Sequence, residues 1–287
     1  MFDQSENSPS ITISDSSKDF TQELHPHLPH FDFDAAPLVW IKNAPIKTFY
    51  ETYLSITLQM LEDFMISTIK EVIPEITDQQ LLQNAKAFCE QEQNHADQHS
   101  HFNQKMYALG LDTVNLKPSQ EKFKTKLGNL TINERLQLTA FIEGITAGFA
   151  YEIICNRFLR EDWHPQAKEL YLWHCIEEYQ HRCLAFDVYI EKVKVHKPSF
   201  ILITRTITPL FFQSLKFMFK NLKKHKLLWS KQTLRDVIWF VGLHGPIFYI
   251  LKCYYRFFSN NYNPQYIYYN LTIESIVQKW EDDFHVG

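Results

Sequence analysis

The spacing Glu-x-x-His occurs as Glu92/His95 within "EQEQNHADQH" and again as Glu178/His181 within "WHCIEEYQHRCLAFDVY". Residues three apart on a helix stand one above the other, so each pair can offer a carboxylate and an imidazole to one ion. Random pairing of the chain's Glu and His residues yields about one such spacing, and three occur, the third being Glu161/His164 at a break before Pro165. That third pair is read as incidental. The other two restrict the fold strongly, because each falls in the second member of a predicted helix pair.

Apolar residues recur at Leu54, Leu58, Leu61, Met65 and Ile69, which predicts a helix from about Pro45 to Lys70. Pro74 breaks it, and Thr77 or Asp78 is the expected N-cap of a second helix running to about Leu109. A connection of some twenty residues follows Gly110, with Pro118 and Gly128 and no sustained long-helix pattern. A third helix is expected from about Thr131 to Arg160, and a fourth from Pro165 to about Val193, with proline at the first helical position. Short links make each pair antiparallel, and one long connection between pairs is the ferritin-like order. The expected fold is therefore all-α: a ferritin-like four-helix bundle with additional C-terminal apolar helices.

Such a site also needs a lone carboxylate from each remaining helix. Glu62 lies among Leu58, Gln59, Met65 and Ile66, and Glu143 among Thr139, Ala140, Thr146 and Ala147. Turning four carboxylates into a core without cations costs several kcal/mol apiece or forces protonation. Glu62, Glu92, His95, Glu143, Glu178 and His181 are thus the candidate metal ligands, with Glu51 as rival to Glu62 and Glu177 as rival to Glu178. His99 and His174 extend the two ligand stripes by one turn toward the same end of the site. They are the candidate catalytic residues, as further ligands, a proton relay or contacts to substrate.

The stretches "SITLQMLEDF", "EQEQNHADQHSHFN", "FIEGITA" and "WHCIEEYQHRCLAFDVY" resemble the helices of the bacterial predicted metal-dependent hydrolases, a family itself similar to the ferritin-like di-iron carboxylate proteins. The likeness covers roughly residues 35 to 250. It implies metal ligands at the same six positions, although the Glu62 helix lacks the proline and extra acid of the family pattern.

Two divalent ions are the expected cofactors, iron first, with manganese or zinc as alternatives. The carboxylate-rich donor set points to O2-activating oxidase or oxygenase chemistry on a small hydrophobic substrate, with O2 and an electron donor as co-reactants. The family resemblance points instead to hydrolysis by a metal-bound hydroxide. A non-enzymatic metal-binding or storage protein is the third reading. No nucleic-acid partner is expected, and a homodimer is allowed.

Residues 1–34 read as a mobile polar tail, 35–197 as the di-metal bundle, and 198–287 as an apolar, basic extension packed on the bundle or on a membrane. That extension holds eleven Lys/Arg against five Asp/Glu. Its apolar runs are too short for a span, since 15 residues of helix reach about 22 Å of a roughly 30 Å hydrocarbon core. Five scattered cysteines and a polar, acidic start with no signal pattern suggest a cytoplasmic protein, peripheral at the inner membrane surface if it meets one. The tract "HPHLPH" (His25, His27, His30) is read as adventitious, and Arg182 as a group orienting the Glu178 carboxylate.

Overall fold

A computed structural model describes residues 24–114, 116–155, 160–193, 198–243, 245–267 and 270–285, with side chains up to residue 280. The chain is all-α, and among the described residues no strand forms beyond one isolated bridge between Ile41 and Trp163. Four long segments pack as two pairs. Helix α1 (Pro45–Val72) lies along α2 (Gln79–Ala108), and α4 (Ile132–Cys155) lies along α5 (Pro165–Gln180) and α6 (Leu184–Val193). The pairs meet through α1 with α4 and through α2 with α5 and α6.

The ends of these helices follow local chemistry. Pro45 and Pro165 open α1 and α5, where a missing N–H costs nothing. Asp78 caps α2, its carboxylate accepting from Gln80 N and Leu81 N at 3.0 Å each. Gly110 (φ +89°) follows the last turn of α2 in the left-handed conformation that ends helices. Thr131 and Glu134 form a reciprocal capping box at the start of α4. Helix α2 buries Ala85, Phe88, Glu92, His95, His99, Phe102 and Met106, a 3,4 alternation that marks one continuous face. Helices α1 and α4 are buried nearly all round, which is why their sequences show little amphipathic contrast.

Three features depart from the sequence expectation. The long connection contains a helix, α3 (Leu116–Gly128), which buries Phe123 and Leu127 against the body. Pro118 sits in its first turn, where no N–H is required. The expected fourth helix is interrupted at His181–Cys183, so α5 and α6 are separate. Residues 24–34, expected as tail, bury Leu24, His27, Phe31 and Phe33. The third helix ends at Cys155, and residues 156–159 of its expected length lie outside the described residues, as do 1–23.

Beyond these two pairs, α7 (Phe200–Lys224) packs on α1, α8 (Lys231–Val241) also meets α1, and α9 (Pro246–Phe257) packs on α4. Pro209 inside α7 removes the donor for the Arg205 carbonyl, and Lys126 Nζ from α3 supplies it at 2.8 Å. The short α10 (Pro264–Ile267) leads to α11 (Leu271–His285), which packs against α4 and buries Ile273 and Val277. All five cysteines are free thiols, as their scatter suggested.

Candidate metal centre

All six candidate ligands and both extra histidines are buried at the centre of the two pairs. One donor atom from each of Glu92, His95, Glu178 and His181 lies within 4.8 Å of the others, and Glu62, His95 and His174 form a second group by the same measure. Glu143 joins through His181, whose Nδ1 lies 3.2 Å from Glu143 Oε2. The interruption between α5 and α6 falls on His181. At that position its ring faces Glu143 with one nitrogen and Glu92 Oε1, at 3.5 Å, with the other.

Two of the imidazoles, those of His95 and His174, are held from behind. His95 Nε2 lies 2.9 Å from Glu177 Oε2, which leaves Nδ1 toward Glu92 Oε2 at 3.9 Å. Glu177 is in turn gripped by the N-terminal strap: His27 Nδ1 reaches Glu177 Oε1 at 3.0 Å and the His27 backbone N–H donates to the same oxygen at 3.2 Å. Burial alone would raise the Glu177 carboxyl, but hydrogen bonds from His27 and His95 hold it down at about 2. Neither Glu177 nor His27 was assigned this role from sequence. Glu177 had weighed only as a substitute for Glu178, and His27 belongs to the tract read as adventitious.

The His174 tautomer follows from a chain of contacts anchored on a backbone carbonyl. Ala96 O can only accept, so Gln59 presents Nε2 to it at 3.1 Å and turns Oε1 toward Asn103 Nδ2 at 3.4 Å. Asn103 Oδ1 then takes the Ser55 hydroxyl proton at 2.9 Å, and Ser55 Oγ accepts from His99 Nδ1 at 2.8 Å. His99 Nε2 must therefore accept from His174 Nδ1, 2.7 Å away. His174 is left with a bare Nε2, 2.8 Å from Glu178 Oε1 and 3.8 Å from Glu62 Oε1. Two acceptors facing at that distance are satisfied by a proton shared between them or by a cation that binds both. Burial and the neighbouring imidazoles keep His99 well below its usual range and His174 down at about 4, so both rings are neutral.

The donor atoms fit a metal. Both oxygens of Glu62 and of Glu92, Glu143 Oε1, Glu178 Oε2, His95 Nδ1 and His181 Nε2 are buried without a hydrogen-bond partner. An orphaned buried polar atom costs about 1–3 kcal/mol, more if charged, so clustering eight of them is untenable for an apolar core. Burial first, then neighbouring carboxylates, pushes Glu62 and Glu143 well above the usual carboxylate range and Glu92 to about 7. A divalent cation removes that difficulty by pairing with the ionised forms.

The remaining candidates fall elsewhere. Glu51, the rival to Glu62, is buried one turn from Lys47 in a cavity wall, and burial raises its carboxyl to about 7. His164 occupies the N-cap position of α5 without a side-chain capping bond and is not part of the cluster. Arg182 does not orient Glu178: its guanidinium donates to the Tyr179 carbonyl freed by the helix break, and to Glu274 of α11 at 3.0 Å. A cavity of about 450 Å³ runs from His174 and Glu178 between α1 and α4 to a cover formed by α7, α8 and α9. Its wall is mostly apolar, with Leu54, Leu58, Ile145, Phe149, Ile207 and Phe211 among the lining residues.

No curated protein and no solved structure matches the chain. Residues 25–267, which span the strap, both helix pairs and the cover, match the family of predicted metal-dependent hydrolases. A buried Glu/His cluster with ligand geometry is the chemistry that such a description requires, and the chain belongs to that family.

Proposed function

We propose that this chain is a hydrolase that works with two divalent ions at the Glu/His cluster on a small hydrophobic substrate held in the adjoining cavity. The observation that carries the reading is the meeting of eight orphaned donor atoms with an apolar cavity at His174 and Glu178. Glu62, Glu92, His95, Glu143, Glu178 and His181 would hold the ions. His174 joins them as a ligand, because its bare Nε2 points into the same space as Glu62 and Glu178. When bound, such ions act as Lewis acids toward a substrate oxygen and lower the pKa of water.

The chain's own residues supply the rest. Glu177, backed by His27, fixes the ring of His95, and His99 fixes the tautomer of His174. His99 therefore acts as a positioning residue. The apolar walls exclude bulk water and accept the hydrocarbon part of a substrate, while Glu178 and His174 are the polar groups its reacting end meets. The family match supports hydrolysis over the O2 chemistry first expected from the donor set. The observation favouring O2, iron and an electron donor is the four-carboxylate composition of the cluster.

The test is metal content and turnover together, on wild type and Glu178→Ala. Stoichiometric metal, hydrolysis of apolar esters or amides that chelation abolishes and metal restores, and loss of both in the variant are the expected results. Iron with an absorbance band that develops in air and is missing from the variant, without hydrolysis, would replace the reading by oxidation. Absence of stoichiometric metal under metal-replete conditions would remove both.

A further inference from the structure

The face made by α7, α8 and α9 carries a pattern opposite to that of a solvated helix. Helix α8 buries Thr233, Asp236 and Phe240 and turns Leu234, Val237, Ile238 and Val241 outward. Those four positions follow helical spacing, so they form one exposed apolar stripe. Helix α9 repeats the arrangement, burying Cys253 and Phe257 and exposing Phe248, Leu251 and Tyr255. In the turn between α7 and α8, Trp229 is 83% exposed. Contiguous apolar surface of this kind marks an interaction site.

Charge decides the occupant. Residues 200–257 contain ten Lys/Arg and a single acid, Asp236, which is buried and accepts from Ile46 N at 3.0 Å. Lys216, Lys223, Lys224, Lys226 and Lys231 are exposed, and the last two flank Trp229. A second copy of the chain would set this patch against itself, lysine opposite lysine, in a two-fold contact. An anionic lipid surface instead complements the charge, accepts the stripes and suits a tryptophan at the headgroup level.

The helix lengths suit lying along such a surface rather than crossing it. The stretch Lys231–Phe257 is long and apolar enough to span a membrane by composition, but it is divided into helices of 11 and 12 residues. Each reaches roughly 16–18 Å, short of the hydrocarbon core. Gly245 makes the sharp turn between them, because a side chain there would collide with the Trp239 and Phe240 carbonyls.

We infer that the α7–α9 face docks on a bilayer containing anionic phospholipid and that the cavity opens onto it. The exposed Leu243 and Phe248 belong both to that surface and to the cavity wall, and the Lys252–Glu152 ion pair (2.8 Å) stands at the same rim. An apolar substrate could then pass from lipid to the cavity without crossing water. That delivery rests on the proposed hydrolase reading; the docking does not.

Flotation of the full chain with vesicles tests it. Binding is expected to phosphatidylcholine vesicles containing phosphatidylglycerol, weakly or not at all to phosphatidylcholine alone, and to weaken with salt. Lys223→Glu with Lys224→Glu should reduce partitioning about ten-fold or more, and Ile238→Asp with Leu251→Asp should reduce it at least as far. All four positions are solvent-facing, so unchanged helicity and melting would show that the fold survives. Emission of the bound protein should shift to the blue, less so in Trp229→Phe. Glu178→Ala should bind vesicles like wild type, which separates failure of the docking from failure of the hydrolase reading. Absence of binding to anionic vesicles, or binding unaffected by both double variants, overturns the inference. Self-association in sedimentation that both double variants abolish would overturn it in favour of a second copy.

Discussion

At the scale of single residues, the unexpected finding is how far the support of one candidate ligand reaches. His95 is oriented by Glu177, and Glu177 by His27, which packs edge-on to Trp280 with ring centroids 4.8 Å apart. A hydrogen-bonded carboxylate behind a ligating imidazole typically accounts for 10–100-fold in metal affinity, roughly. His27→Ala should therefore lower metal affinity by about ten-fold, while His25→Ala, at an exposed ring, should not change it; competition with a chelator measures both. Equal affinity in the two variants would leave His27 with a packing role only. The residues that meet in the buried cluster were legible because Glu-x-x-His repeats with helical geometry, and because Glu62 and Glu143 are acids with no charged neighbour on their own helix faces. His27 was not legible: it arrives from an irregular strap whose contact with Glu177 joins residues 150 apart in the chain, and no periodicity encodes such a contact. Glu177 was obscured by its adjacency to Glu178.

Among elements, starts and stops were read where they rest on local chemistry. Asp78 caps α2, and Asp78→Ala should cost about 1 kcal/mol in chemical denaturation, a change of midpoint without change of slope. The break between α5 and α6 has no proline or glycine to announce it, because "EEYQHRCLAF" is consistent with uninterrupted helix. It depends on tertiary partners: His181 held between Glu143 and Glu92, and Arg182 taking up the Tyr179 carbonyl. Just beyond it, in the first turn of α6, burial raises the half-buried Asp187 carboxyl to about 7. A raised acid leaves stability intact below its unfolded pKa, near 3.9, and lowers it progressively as pH climbs to the folded value. Asp187→Asn should thus match wild type near pH 4. It should exceed wild type at pH 8 by on the order of 1–2 kcal/mol, after a loss of about 0.5 kcal/mol from the helix dipole. Melting temperatures of the two proteins across that range check the sign.

At the scale of the whole molecule, the C-terminal third explains why the chain is longer than a bundle needs to be. Helices α1 and α4 present apolar surface away from the Glu/His cluster, and α7, α8 and α9 cover that surface without filling it. The result is a cavity whose inner end is polar and whose outer end lies under exposed apolar helices. Composition signalled the cover, but not that it would leave space, since the cavity depends on the relative placement of six helices, α1, α4, α5, α7, α8 and α9. The space can be tested independently of the metal. Leu54 lines the cavity on α1 and is only partly buried, so Leu54→Trp can direct its added volume into the void instead of the packed interior. Metal content should stay at the wild-type level, and thermal stability should be unchanged or higher, because filling a void restores lost contacts. Turnover of long-chain apolar esters should fall about ten-fold or more while that of the shortest esters is retained, a split expected when one pocket contact sets chain length. If long and short substrates fall together with metal intact, the cavity does not hold the hydrocarbon chain, and the substrate must approach Glu178 and His174 from another side.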